Sequence, residues 1–149
     1  MLTIINSKFK IAVNTIDKKI HDCISTSASA FESIKIAYVF GSILDETSFK
    51  STSDIDLAFL LDQHLYRKDP LTASYHAYNI STEIGLALDK QTDVLILNSA
   101  SIETAFQVIT TGNALYEYNT EDRIQYEIAL KGMYFDFKPF LNIVRSNTL

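Results

Sequence analysis

Asp54 and Asp56 stand two residues apart at the head of the apolar run Leu57-Ala58-Phe59-Leu60-Leu61, with eleven residues separating Asp54 from the pair Gly41-Ser42. Successive side chains of a strand alternate faces, so both carboxylates project to one side while Ile55 and Leu57 point to the other. At a strand-imposed separation of about 6–7 Å, their repulsion is on the order of 2–3 kcal/mol at an effective dielectric near 20. Desolvating such a pair is costly unless it is neutralised. A hard divalent cation with oxygen ligands, Mg²⁺ above all, meets that need and shares its remaining positions with substrate phosphates. Gly41 suits a place where backbone approaches a phosphate closely or takes a positive φ. The Ser42 hydroxyl or N–H supplies a hydrogen bond to a phosphate oxygen, a role compatible with capping a helix.

The elements that must position these groups follow from periodicity. Residues 34–40 read as a β-branched and aromatic strand ending at Gly41, and residues 54–61 as a central strand covered on both faces. Between them the chain is rich in Ser, Thr, Asp and Glu without clean period, which predicts a loop with one helical turn at most, carried around bound phosphates. Helices are expected over residues 7–27 and 72–89, the second with Pro70 near its start. Residues 92–97 read as a third strand headed by Asp93. Ser101 caps a helix over 102–111 that Gly112 stops, and a brief strand follows at 114–118. A last helix over 120–144 is expected to break near Lys138-Pro139. The order predicts one domain, residues 1–149, of α/β (α+β) class: a mixed sheet packed against helices.

Gly-Ser, about ten residues, then Asp-x-Asp inside an apolar strand resembles the signature of the DNA-polymerase-β-like nucleotidyltransferase superfamily. Thr92-Asp93-Val94-Leu95-Ile96-Leu97 is similar to the strand that brings a third acidic residue to the site in those proteins. Residues 106–117 and 134–141 are similar to the small stand-alone members called minimal nucleotidyltransferases, in particular the MntA-like antitoxins. The resemblance implies the nucleotidyltransferase fold, ATP as substrate and Mg²⁺ held by Asp54, Asp56 and Asp93. It implies phosphate binding at Gly41 and Ser42, and a catalytic part for the three carboxylates. It also implies a cognate HEPN-domain RNase toxin as partner, silenced by transfer of AMP onto one of its tyrosines. Two features depart from the family pattern. The gap after Ser42 is about one residue longer than usual, and Ile43, Leu44 and Asp45 occupy positions where basic residues are common; Lys50 or Lys90 is the candidate replacement charge. Two other functions fit the same residues: a catalytically silent antitoxin that acts by occlusion, and a small-molecule nucleotidyltransferase of the aminoglycoside-modifying type, for which 149 residues leave little room.

Composition narrows the field further. A formal charge of −5, from 13 basic and 18 acidic residues, disfavours direct binding to nucleic-acid backbone. With 47% hydrophobic and 21% charged residues, the chain reads as an ordinary globular protein that folds without a partner. No apolar run reaches the roughly 18 residues that span a bilayer, and the first residues lack a signal-peptide pattern, so a cytoplasmic location is expected. The single Cys23 allows no internal disulfide and reads as a small buried hydrophobe. His21, His64 and His76 have no metal-ligand spacing and read as surface or packing residues. Met133, Tyr134, Phe135, Phe137, Phe140, Leu141 and Val144 carry more apolar surface than one helix face needs, which suggests a docking face for a partner.

Overall fold

The computed structural model of the protein describes residues 2–45 and 53–147. A four-stranded mixed sheet forms its centre, built from β1 (Ile34–Phe40), β2 (Ile55–Leu61), β3 (Thr92–Ile96) and β4 (Asn113–Glu117) in the order β3-β2-β1-β4. β1 runs antiparallel to β2 and β4, whereas β2 and β3 are parallel. The end of β1 therefore lies beside the beginnings of β2, β3 and β4. This juxtaposition gathers the residues of the site at one end of the sheet.

One face of the sheet packs on α1 (Leu2–Ser25) and α4 (Pro70–Leu88). Ile16, Ile20 and Ile24 recur every fourth residue along α1 and are buried against Ile55, Leu57, Phe59 and Leu61, while Ala73, Ala77, Ile80 and Ile84 do the same from α4. The other face carries Ile36, Tyr38 and Ala58 beneath α5 (Ile102–Thr111) and α6 (Thr120–Asn147), which contribute Ala105, Val108, Ile109 and Leu130. The near-continuous apolar run of β2 is thus explained by cover on both sides.

Side-chain caps fix two helix starts, Ser101 as expected and Asp69 beside the expected Pro70, so that α4 begins two residues before the expected Thr72. The Asp69 side chain accepts from the Thr72 N–H with Pro70 in the first turn of α4, and the Ser101 hydroxyl accepts from the Thr104 N–H at the start of α5. Two short helices were not anticipated, α2 (Ala28–Ser33) and α3 (Gln63–Lys68). Both start at side-chain caps, Ser27 and Asp62, within segments too short to show a period. α1 also starts earlier than expected, at Leu2.

The expected break at Pro139 is absent, because α6 continues to Asn147. An internal proline removes one hydrogen bond and crowds the preceding turn, at a cost of ~3 kcal/mol. Pro139 is exposed, so water is available to the carbonyl left unpaired. Contacts on both sides hold the helix against its neighbour: Tyr134 stacks on Phe106 of α5 at 3.7 Å between centroids, and Arg145 donates to both oxygens of Glu103.

Candidate active site

A turn of 3-10 helix, Gly41–Leu44, follows β1 directly, and most of the expected loop beyond it, Lys50 included, lies outside the described residues. Gly41 adopts φ +81°, a conformation that side-chain-bearing residues avoid. A β-carbon here would collide with Oδ2 of Asp56. The glycine therefore serves two requirements at once, the left-handed turn and the close approach of backbone to a carboxylate.

Strand register sets the carboxylates. Phe40 pairs with Asp56 across the antiparallel β1–β2 ladder, and Asp56 pairs with Asp93 across the parallel β2–β3 ladder. Residues directly opposite one another share a face, so Asp56 and Asp93 stand side by side on the α5–α6 side of the sheet. Asp54 lies two residues before Asp56, just outside the strand and exposed, as is Asp93, while Asp56 is half-buried. Ile55 and Leu57 are fully buried on the opposite face, as alternation requires. Burial first, then the Asp93 carboxylate, then Asp54, together with a hydrogen bond to Asp93, hold Asp56 above the ordinary carboxylate range.

This excess of negative charge is the environment that a cation relieves, and the all-oxygen donor set suits a hard one. As the side chains stand, no group of three His, Cys, Asp or Glu residues among the described residues converges on one ion position. The arrangement fits the usual mode for Mg²⁺ instead, in which one or two carboxylates share the ion with substrate phosphates. Asp56 and Asp93 would be the paired donors, with Asp54 exposed two residues before Asp56.

The departures after Gly-Ser have a structural account. Ile43 is fully buried in the core beneath the turn, and Leu44 packs against the same cluster. These positions fasten the turn to the domain rather than present charge. Lys90 donates to the Ser53 carbonyl at 3.5 Å, bringing a cation to the start of the carboxylate strand.

Sequence reasoning assigned Gly112 only as a helix stop. A β-carbon there would lie 3.0 Å from the Val39 carbonyl oxygen and 3.2 Å from Phe40 Cβ, so this glycine also lets the end of α5 press against the strand that delivers Gly41. No local pattern distinguishes that role from an ordinary stop. The histidines take no part in the site: His21 lies within hydrogen-bonding distance of the Leu115 carbonyl, and His76 of the Ser29 hydroxyl.

An exposed glycine turn set against paired carboxylates on adjacent strands is an arrangement suited to nucleotidyl transfer. Residues 19–121 match the family Polymerase beta, Nucleotidyltransferase, and the chain belongs to it. No curated protein matches the chain in sequence. Among solved structures, a toxin–antitoxin complex with AMP-PNP contains a chain 22% identical, with TM-score 0.65 over 89% of this chain and 97% of that one. A chain from a complex of tri-AMPylated Shewanella oneidensis HEPN toxin with MNT antitoxin is also 22% identical, with TM-score 0.61 over 94% and 98%. A third, from the toxin–antitoxin MntA-HepT, is 20% identical with TM-score 0.60 over 89% and 96%. At these identities the likeness is one of fold.

Proposed function

We propose that this nucleotidyltransferase is an antitoxin that transfers AMP from ATP, with Mg²⁺, onto a tyrosine hydroxyl of a cognate HEPN-domain toxin and thereby silences it in the cytoplasm, where both ATP and toxin are met. The observation that carries the catalytic part is the row Phe40–Asp56–Asp93, with Gly41 set directly against Asp56. The resemblance in fold to chains from toxin–antitoxin complexes, one with AMP-PNP and one with an AMPylated toxin, supports the substrate and partner.

Held by Asp54, Asp56 and Asp93, Mg²⁺ would supply positive charge against the triphosphate and the attacking and leaving oxygens. The chain's own residues do the rest. Gly41 leaves its backbone open to a phosphate, and Ser42 donates from its hydroxyl or N–H to a phosphate oxygen, orienting the α-phosphorus toward the acceptor. Asp93, exposed at the start of β3, takes the proton of the acceptor hydroxyl as the new O–P bond forms and pyrophosphate departs.

The test is the intact mass of the adjacent gene's product after incubation with this protein, Mg²⁺ and each nucleoside triphosphate in turn. Metal-dependent gain of adenylyl mass, lost in Asp54→Ala, is expected. No gain of mass while the two proteins co-elute would replace this reading with inhibition by binding alone, which the exposed apolar side of α6 favours; such a complex would survive loss of Asp54 and Asp56.

A further inference from the structure

α6 carries one apolar seam with two different fates. Tyr126, Leu130, Met133, Phe137 and Phe140 alternate in steps of four and three residues, the spacing with which one helix packs on another. The first part of the seam is answered within the domain: Leu130 is 4% exposed and packs with Tyr38, Ala58 and Ala105. Beyond it the same seam opens to solvent, with Met133 47%, Phe137 46% and Phe140 60% exposed. Where the seam leaves the core, a cavity of about 480 Å³ opens between α6, α5, the start of β1 and the ends of β2 and β3, walled by Leu60, Leu97, Ile102, Tyr126 and Met133.

We infer that this open seam and its adjoining cavity form the docking groove for a helix of the toxin, which lays its own apolar stripe along α6 and inserts a side chain into the cavity. The inference rests on the antitoxin reading above. Spacing identifies the occupant as a helix, because knobs at these intervals are matched by holes on a facing helix. Area agrees as well. Met133, Phe137, Phe140, Ile143 and Val144, all about half-exposed on one side of α6, offer on the order of 450 Å² of apolar surface, more than half of the ~800 Å² that each partner buries in a standard interface before the cavity walls are added. The likeness in fold to chains taken from toxin–antitoxin complexes favours the toxin over a second copy as the occupant.

The experiment compares wild type with the double variant Phe137→Asp, Phe140→Asp. Binding to the adjacent gene's product is measured by calorimetry, alongside binding of AMP-PNP with Mg²⁺ and sedimentation of each protein alone. The expected result is at least a hundredfold loss of toxin affinity with AMP-PNP affinity unchanged, which shows that the fold and site persist. Unchanged toxin affinity overturns the inference. Unchanged toxin affinity with loss of self-association assigns the seam to a second copy and overturns it equally. Wild-type protein that binds no toxin removes the antitoxin reading itself, a failure visible before any variant is made.

Discussion

Gly41 and Asp56 occupy the same space in the sense that matters for substitution: a methyl on the glycine would collide with the Oδ2 of the aspartate. Gly41→Ala is therefore expected to reduce nucleotidyl transfer by at least a hundredfold. Its φ of +81° adds strain of about 1–2 kcal/mol. Transfer rate and urea unfolding together check this, since a stability loss of that size leaves the protein folded. Activity within a few fold of wild type would show that the turn can retreat from the carboxylate.

Asp56 gives the protein a pH dependence of defined sign. Its folded pKa is raised by burial, Asp93 and Asp54. The native state thus holds a proton that the unfolded chain has released, and this contribution to stability is complete below the unfolded carboxylate value and lost as pH rises through the folded one. In metal-free buffer the thermal midpoint should fall across the window just above the ordinary carboxylate range. Asp56→Asn should flatten that fall and exceed wild type in stability at neutral pH. Thermal scans in chelator across the pH range decide it; a wild type that gains stability over the window contradicts the assignment.

Cys23 should be chemically quiet. Burial and the Glu83 carboxylate, which accepts the thiol hydrogen bond at 3.0 Å, push its pKa up to about 12. Thiolate is the reactive form, so alkylation near pH 8 should run about a thousandfold slower than for an ordinary thiol. Iodoacetamide labelling followed by mass spectrometry measures this, and labelling at the rate of free cysteine would refute it.

Arg123 ties α6 to the sheet. It donates to Glu117 at 2.9 Å and to both oxygens of Glu127, which in turn accepts from the Tyr38 hydroxyl at 2.8 Å. Arg123→Ala leaves two partly buried carboxylates facing each other and is expected to destabilise the fold by about 2 kcal/mol. Tyr38→Phe keeps the ion pairs and should cost about 1 kcal/mol. Denaturant midpoints for the two variants test the ranking, and the reverse order would place the weight on the tyrosine.

The geometry of the candidate site was largely legible in the sequence because strand alternation and two punctuating residues determine it. Asp54, Asp56, Gly41 and the limits of β1 follow from period and turn chemistry alone. That Asp93 stands opposite Asp56 depends on the β2–β3 register, which no local pattern contains. The second role of Gly112 depends likewise on where α5 ends in space. Pro139 shows the limit from the other side. Its local preference is to break a helix, and it is outweighed by Phe106–Tyr134 and Glu103–Arg145, contacts between residues 28 and 42 positions apart.

The sheet separates the proposed transfer site from the proposed docking groove by its own length. The carboxylates head β2, whereas the cavity beside α6 lies at the opposite end, against Leu60 and Leu61, roughly 15 Å away along the strand. A client gripped there would leave the reaction mouth open, so nucleotide exchange need not wait for the client to leave. The yield of transfer per encounter then becomes a kinetic quantity on the proposed reading, set by how long the grip lasts relative to one transfer. Weakening the grip should lower that yield while nucleotide affinity stays unchanged.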